Sequence, residues 1–150
     1  MIDFSGCEIS PRRCEYLRFI LEQGGSAKPM DLADSFDVDP STITKAVREL
    51  ESAGLVCHIP YRRIFLTGEG RSYAEFLLRR HRILGLILCS HGLSREEACR
   101  QAVQMEGSLP RIFVDRMCAS LGHPTEGICG DIPPGDSCCH TPMNPVGPRK

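Results

Sequence analysis

The sequence predicts a mostly α-helical fold with one small β-hairpin, a winged helix-turn-helix followed by further helices. Three observations predict it. A short apolar helix over 29–36 is joined by Asp37-Val38-Asp39 to a second helix that starts polar. Two β-rich runs follow, Leu55-Val56-Cys57-His58-Ile59 and Ile64-Phe65-Leu66-Thr67, with Pro60-Tyr61-Arg62-Arg63 between them. A long amphipathic helix then begins near residue 69.

The first ten residues read as a loose lead-in. Pro11 opens a helix to about residue 23, with Leu17, Ile20 and Leu21 on its core face, and Gly24-Gly25 stops it. Pro29 opens the next, with Met30, Leu32, Ala33 and Phe36 apolar. In Asp39-Pro40-Ser41-Thr42-Ile43-Thr44-Lys45-Ala46-Val47-Arg48-Glu49-Leu50, Asp39 is placed to cap a helix and Pro40 suits its first position. Ile43, Val47 and Leu50 recur at spacings of four and three, which makes one buried stripe. Ser41, Thr42, Thr44, Lys45 and Arg48 lie off that stripe. Short hydroxyls and long cations on an exposed helix start reach base edges and phosphates. Such a helix alone equally describes a solvated surface; the preceding helix and the following hairpin favour a duplex. Arg62 and Arg63 at the hairpin tip extend that candidate DNA surface.

Thr67 is placed to cap the long helix, over about 69–89. Tyr73, Leu77, His81, Leu84 and Leu88 share one face, widened by Phe76, Ile83 and Ile87. Ser94 and Glu97 make a capping box for a helix over 95–106, with Ala98, Ala102 and Met105 in register. Pro110 opens another to about residue 121, carrying Ile112, Phe113, Met117 and Leu121. Two helices are too few for a core of their own, so they are expected to build a dimer interface or a ligand pocket against the long helix. From Gly122 the composition changes: six of the eleven prolines lie there, and no regular structure is expected. His123, Cys129, Cys138, Cys139 and His140 crowd into this tail. The expected division is a DNA-binding domain over 1–70, a helical dimerisation and metal-binding domain over 71–121, and a Pro/Cys-rich tail over 122–150.

Composition narrows the function. The 150 residues carry a net charge of −1, which excludes a global basic field. Between Pro40 and Arg82, however, eight cations stand against four anions, a localised positive footprint. The start lacks the basic-then-apolar order of a signal peptide, and the longest apolar patch, around 83–89, is too short to span a bilayer. A cytoplasmic protein is expected. Nine cysteines in such a compartment indicate thiol, metal or redox chemistry rather than a disulfide framework, and an odd number cannot pair completely.

These pieces together resemble the diphtheria-toxin-repressor family of metal-dependent regulators, which includes the iron-dependent repressors and the manganese transport regulators. The matching residues are Glu15-Tyr16-Leu17, Asp39-Pro40-Ser41-Thr42-Ile43-Thr44-Lys45, Leu66-Thr67-Gly68-Glu69-Gly70, Arg80-His81-Arg82, the helix ending at Glu106, and Leu121-Gly122-His123-Pro124. They cover about 11–135 in consistent order and spacing. The resemblance implies a homodimeric winged-helix repressor of metal-homeostasis genes on a palindromic DNA operator, without the third, SH3-like domain of longer members. It also implies a metal site drawn from the first helix, the long helix and the first dimerisation helix.

Carried over residue by residue, Glu15, His81 and Glu106 keep ligand chemistry, a set suited to Fe²⁺ or Mn²⁺. Four family ligand positions depart: they hold Arg18, Gly85, Val103 and Gly107. Nearby donors are Cys99, on the same helical face as Glu106, and His123, Cys129, Cys138 and Cys139 of the tail. Thiolates shift preference towards Zn²⁺, Fe²⁺ or an iron–sulfur cluster. Cys7, Cys14, Cys57, Cys89 and Cys118 read as small apolar residues or bystanders. Two other functions use the same features: a cysteine-based redox or iron–sulfur-sensing regulator, and a winged helix used for protein contacts without DNA. An enzyme is not expected, because no nucleophile stands beside a base and no Gly-rich phosphate loop is present.

Overall fold

The computed structural model describes residues 4–135 and 138–139. In chain order the elements are α1 (Pro11–Glu22), β1 (Ser26–Ala27), α2 (Pro29–Phe36), α3 (Pro40–Ser52), β2 (Val56–His58), β3 (Ile64–Leu66), α4 (Gly68–Ser90), α5 (Arg95–Met105), α6 (Arg111–Ser120), β4 (Glu126–Gly127) and β5 (Gly130–Asp131). One 3₁₀ turn, Glu106–Ser108, separates α5 from α6. The architecture is the expected winged helix-turn-helix with a second helical part.

Each helix start has a local cause. Ser10 caps α1 and Thr67 caps α4, their hydroxyls accepting from the N–H groups of Arg13 and Gly70. The Ser94–Glu97 box at α5 is complete in both directions. Asp39 departs from expectation. Its side chain makes no capping bond, and its carbonyl alone accepts from Thr42 and Ile43. Pro40, which needs no N–H partner, then does most to set the start of α3.

Leu17 and Ile20 of α1, Leu32 of α2, Ile43 and Leu50 of α3 and Ile64 of β3 close one core with Leu77 of α4. The wing contains a strand too short to read from sequence. β1 pairs antiparallel with β3, giving the order β1-β3-β2, with Ala27 and His58 flanking Ile64. The wing is locked to α4 where Gly70 passes over Leu55. A Cβ at Gly70 would stand 1.7 Å from the Leu55 carbonyl oxygen, so only glycine fits.

Three expectations are corrected here. Residues 4–10 are not a loose lead-in: Phe4 stacks on Tyr73 and Phe76, and the Tyr73 hydroxyl donates to Glu8 at 2.9 Å. The buried side of α6 is Val114 and Cys118, whereas Ile112, Phe113 and Leu121 are exposed, as is Met105 of α5. The tail has regular structure in the β4–β5 hairpin, which packs under α4, with Arg82 donating to the Asp131 carbonyl. His140 lies outside the described residues.

Candidate metal centres and nucleic-acid interface

Because Ile43, Ala46, Val47 and Leu50 turn one face of α3 inward, the opposite face is fixed outward. Ser41, Thr42, Thr44, Lys45 and Arg48 are all exposed. Lys45 and Arg48 make no ion pair among the described residues, while the Thr44 hydroxyl is turned back onto the Pro40 carbonyl at 3.0 Å. At the wing, Arg62 is exposed, but Arg63 is not a tip cation. Its guanidinium donates to Ser26 Oγ and the Ser26 carbonyl at 3.1 and 3.2 Å, bracing the wing on β1. Tyr61, missed in the sequence reading, stands fully exposed at the tip with φ +60°. The positive footprint is also smaller than its cation count. Arg79 and Arg80 are 2% and 1% exposed, so the outward charge rests on Lys45, Arg48, Arg62 and Arg71.

The carboxylates of the first donor set are all engaged by protein partners. Glu106 is buried with both oxygens engaged, Oε2 at 2.7 Å from His81 Nδ1 and Oε1 at 3.2 Å from Arg18 Nη1. Glu15 pairs instead with Arg12 at 3.1 Å. Arg18 therefore puts a permanent positive charge on the carboxylate an ion would need. The missing long-helix ligand at Gly85 is replaced by packing: Ile128 fills the space above it, 3.0 Å from where a Cβ would be. Val103 is exposed.

A different donor set does converge. His81 of α4, Cys99 of α5 and Cys129 of the β4–β5 turn each offer an atom, and these lie within 4.8 Å of one another. The link between His81 Nδ1 and Glu106 fixes the ring, and in the neutral imidazole that donates there Nε2 carries the free lone pair, an arrangement that orients metal-binding imidazoles. Burial, and then the neighbouring Cys129, hold the Cys99 thiol above its ordinary pKa. One imidazole and two thiols suit a borderline or soft divalent ion. Such an ion fits this set. Glu15, Glu22 and Arg18 line the same cleft.

The remaining tail donors do not join Cys129. His123, Cys138 and Cys139 gather around Cys118, which the sequence reading passed over as a bystander. The signal that escaped was the spacing of Val114 and Cys118, four residues apart, which turns Cys118 inward.

The chain matches the N-terminal DNA binding domain of iron-dependent repressors over residues 8–64 and their metal binding and dimerisation domain over residues 67–135. It is 31% identical over 103 residues to the transcriptional regulator MntR of Geobacillus kaustophilus, covering 69% of this chain and 73% of that protein. It is 35% identical over 92 residues to the MntR of Escherichia coli, covering 61% and 59%. A manganese-dependent transcriptional repressor solved in complex with manganese superposes with a TM-score of 0.71 at 27% identity, over 87% of this chain and 62% of that one. The chain thus spans about six tenths of the length of the last two. The two matched domains together account for residues 8–64 and 67–135, and the chain belongs to the family of iron-dependent repressors, metal-dependent regulators of transcription.

Proposed function

We propose that this chain is a cytoplasmic, homodimeric repressor that reads a palindromic operator of metal-homeostasis genes, and that its effector is a borderline divalent ion held by His81, Cys99 and Cys129. The observation behind this reading is the convergence of those three donors at the place where α4, α5 and the β4–β5 turn meet. No helix among the described residues is long and apolar enough to cross a membrane. When bound, the ion supplies positive charge and short directional bonds that tie these segments together.

The protein's own residues do the rest. His81 sits on α4, which starts at the wing and packs along α1, so its position bears on the reading head. Glu106 fixes the imidazole, and Arg18 fixes Glu106, which couples α1 to the same point. Lys45, Arg48 and Arg62 meet phosphates, with Ser41 and Thr42 beside base edges. By linkage, the ion strengthens DNA binding only as far as it prefers the DNA-competent geometry. Thiolate donors also place Zn²⁺ or Fe²⁺ ahead of Mn²⁺.

Operator binding measured first with a chelator and then with Zn²⁺, Fe²⁺ and Mn²⁺ tests this. Zn²⁺ or Fe²⁺ should restore binding at lower concentration than Mn²⁺, and Cys99→Ser/Cys129→Ser should abolish the response. A metal response retained in that double variant, or a wild type that responds to Mn²⁺ at lower concentration than to Zn²⁺ and Fe²⁺, would overturn the thiolate site. Anaerobic purification separates the redox reading: a brown protein indicates a cluster, a colourless one with a bound divalent ion does not.

A further inference from the structure

We propose that Cys118, His123, Cys138 and Cys139 form a second, structural zinc site that fastens the segment after β5 onto α6. It is distinct from the effector site and uses none of the positions at which the family resemblance implies ligands.

The distances have tetrahedral spacing. Cys118 Sγ lies 3.8 Å from Cys139 Sγ and 3.5 Å from His123 Nδ1, and Cys138 Sγ lies 3.5 Å from the same nitrogen. All four donor atoms lie within 4.8 Å of one another. In a zinc tetrahedron with Zn–S about 2.3 Å and Zn–N about 2.0–2.1 Å, edges come out at roughly 3.8 Å for S···S and roughly 3.6 Å for S···N. A disulfide needs about 2.05 Å instead, and all nine cysteines are free. Three thiols and one imidazole exclude a hard cation such as Mg²⁺ or Ca²⁺ and select Zn²⁺.

The chain is bent to make this cluster. Gly122 (φ +78°) and His123 (φ +54°) both take the left-handed conformation just after α6. The His123 N–H then donates to the Cys118 carbonyl at 2.9 Å, which turns the imidazole back onto the Cys118 thiol.

The surroundings also expect an anion. Arg79 is 2% exposed and gives Nη1 to Asp115 at 2.6 Å; its Nε and Nη2 make no hydrogen bond of regular geometry among the described residues, and its guanidinium faces the Cys118 thiol. Gly135 packs directly on this guanidinium; a Cβ there would stand 2.6 Å from Cζ. Three thiolates and a neutral imidazole around Zn²⁺ leave a net charge of −1; Arg79, which it would share with Asp115, stands beside it, and the remaining N–H groups of the guanidinium suit sulfur acceptors. The Gly135 N–H already points at Cys139 Sγ, 3.3 Å away. On loading, the three thiols release three protons to solvent, including the one Cys138 gives to the Asp115 carbonyl, and no electron moves.

Cobalt titration of the reduced, metal-stripped full chain tests the site. Wild type should take two Co²⁺ per protomer, with thiolate charge-transfer bands and intense tetrahedral ligand-field absorption. Cys138→Ser/Cys139→Ser should take one and lose most of that absorption, while keeping its circular dichroism. Cys99→Ser/Cys129→Ser should also take one but retain the three-thiolate spectrum. Zinc should protect the wild-type tail from limited proteolysis and leave the Cys138→Ser/Cys139→Ser tail cleavable. A single Co²⁺ in wild type that survives Cys138→Ser/Cys139→Ser would overturn the proposal. So would an as-isolated protein with Cys118 in a disulfide and no metal. Neither result bears on the His81, Cys99 and Cys129 site, which the operator assay reads separately.

Discussion

Arg80 shows how far a single side chain departs from what its letter suggests. In sequence it is one of a run of cations, and it was counted towards a DNA footprint. In the fold it is 1% exposed, donates from Nη1 to the Gly6 carbonyl at 2.7 Å and the Leu109 carbonyl at 3.3 Å, and lies over Phe76. It therefore joins the N-terminal segment to the turn before α6. Arg80→Met keeps the apolar stem but leaves two carbonyls inside without a donor. We expect a loss of about 2–6 kcal/mol in urea unfolding, from two unsatisfied acceptors at about 1–3 kcal/mol each. Phosphate binding by the intact surface should change little. A large loss of DNA affinity with unchanged stability would restore the surface reading. Arg18 belongs to the same lesson. Its family position was visible in the sequence, but only the bond to Glu106 shows that it takes up the carboxylate rather than standing aside.

At the scale of elements, most of the fold was readable because its signals are local. The Ser94–Glu97 box, the Thr67 cap and the spacing of Ile43, Val47 and Leu50 each operate within four residues, and each appears as expected. Strand β1 did not, because two residues show no alternation; it exists only by pairing with β3. The same pairing reassigns Arg63. Arg62 and Arg63 are neighbours with one chemistry, yet only Arg63 reaches Ser26. Their alanine variants should therefore separate. Arg62→Ala should weaken operator binding and lower the salt slope by about one per protomer, about two for the dimer, with thermal stability unchanged. Arg63→Ala should lower stability by about 1–3 kcal/mol through two charge-assisted bonds, and affect DNA only through a looser wing. Equal salt slopes for the two variants would mean that Arg63 leaves Ser26 on the DNA.

For the whole molecule, the sequence gives the donors but not their grouping. Cys129 and Cys138 are nine residues apart and read as one tail cluster, yet the β4–β5 hairpin sends Cys129 to His81 and Cys99, while Cys138 goes to Cys118. Such grouping depends on long-range packing that no short window encodes. Exposure poses the complementary problem. Met105, Ile112, Phe113 and Leu121 are 38–59% exposed, and all lie in the segment matched to a metal binding and dimerisation domain. Large apolar side chains left in water on helices of that segment are what a second copy would cover. Phe113→Asp puts a charge on this surface while sparing Val114 and Cys118, which hold α6 to the core. Sedimentation should then report a monomer at concentrations where wild type is a dimer. Operator affinity should fall by at least tenfold, because a monomer engages one half-site where a dimer engages two. A monomeric variant with full affinity would remove the two-fold operator from the proposal; an unchanged dimer would place the seam on other residues.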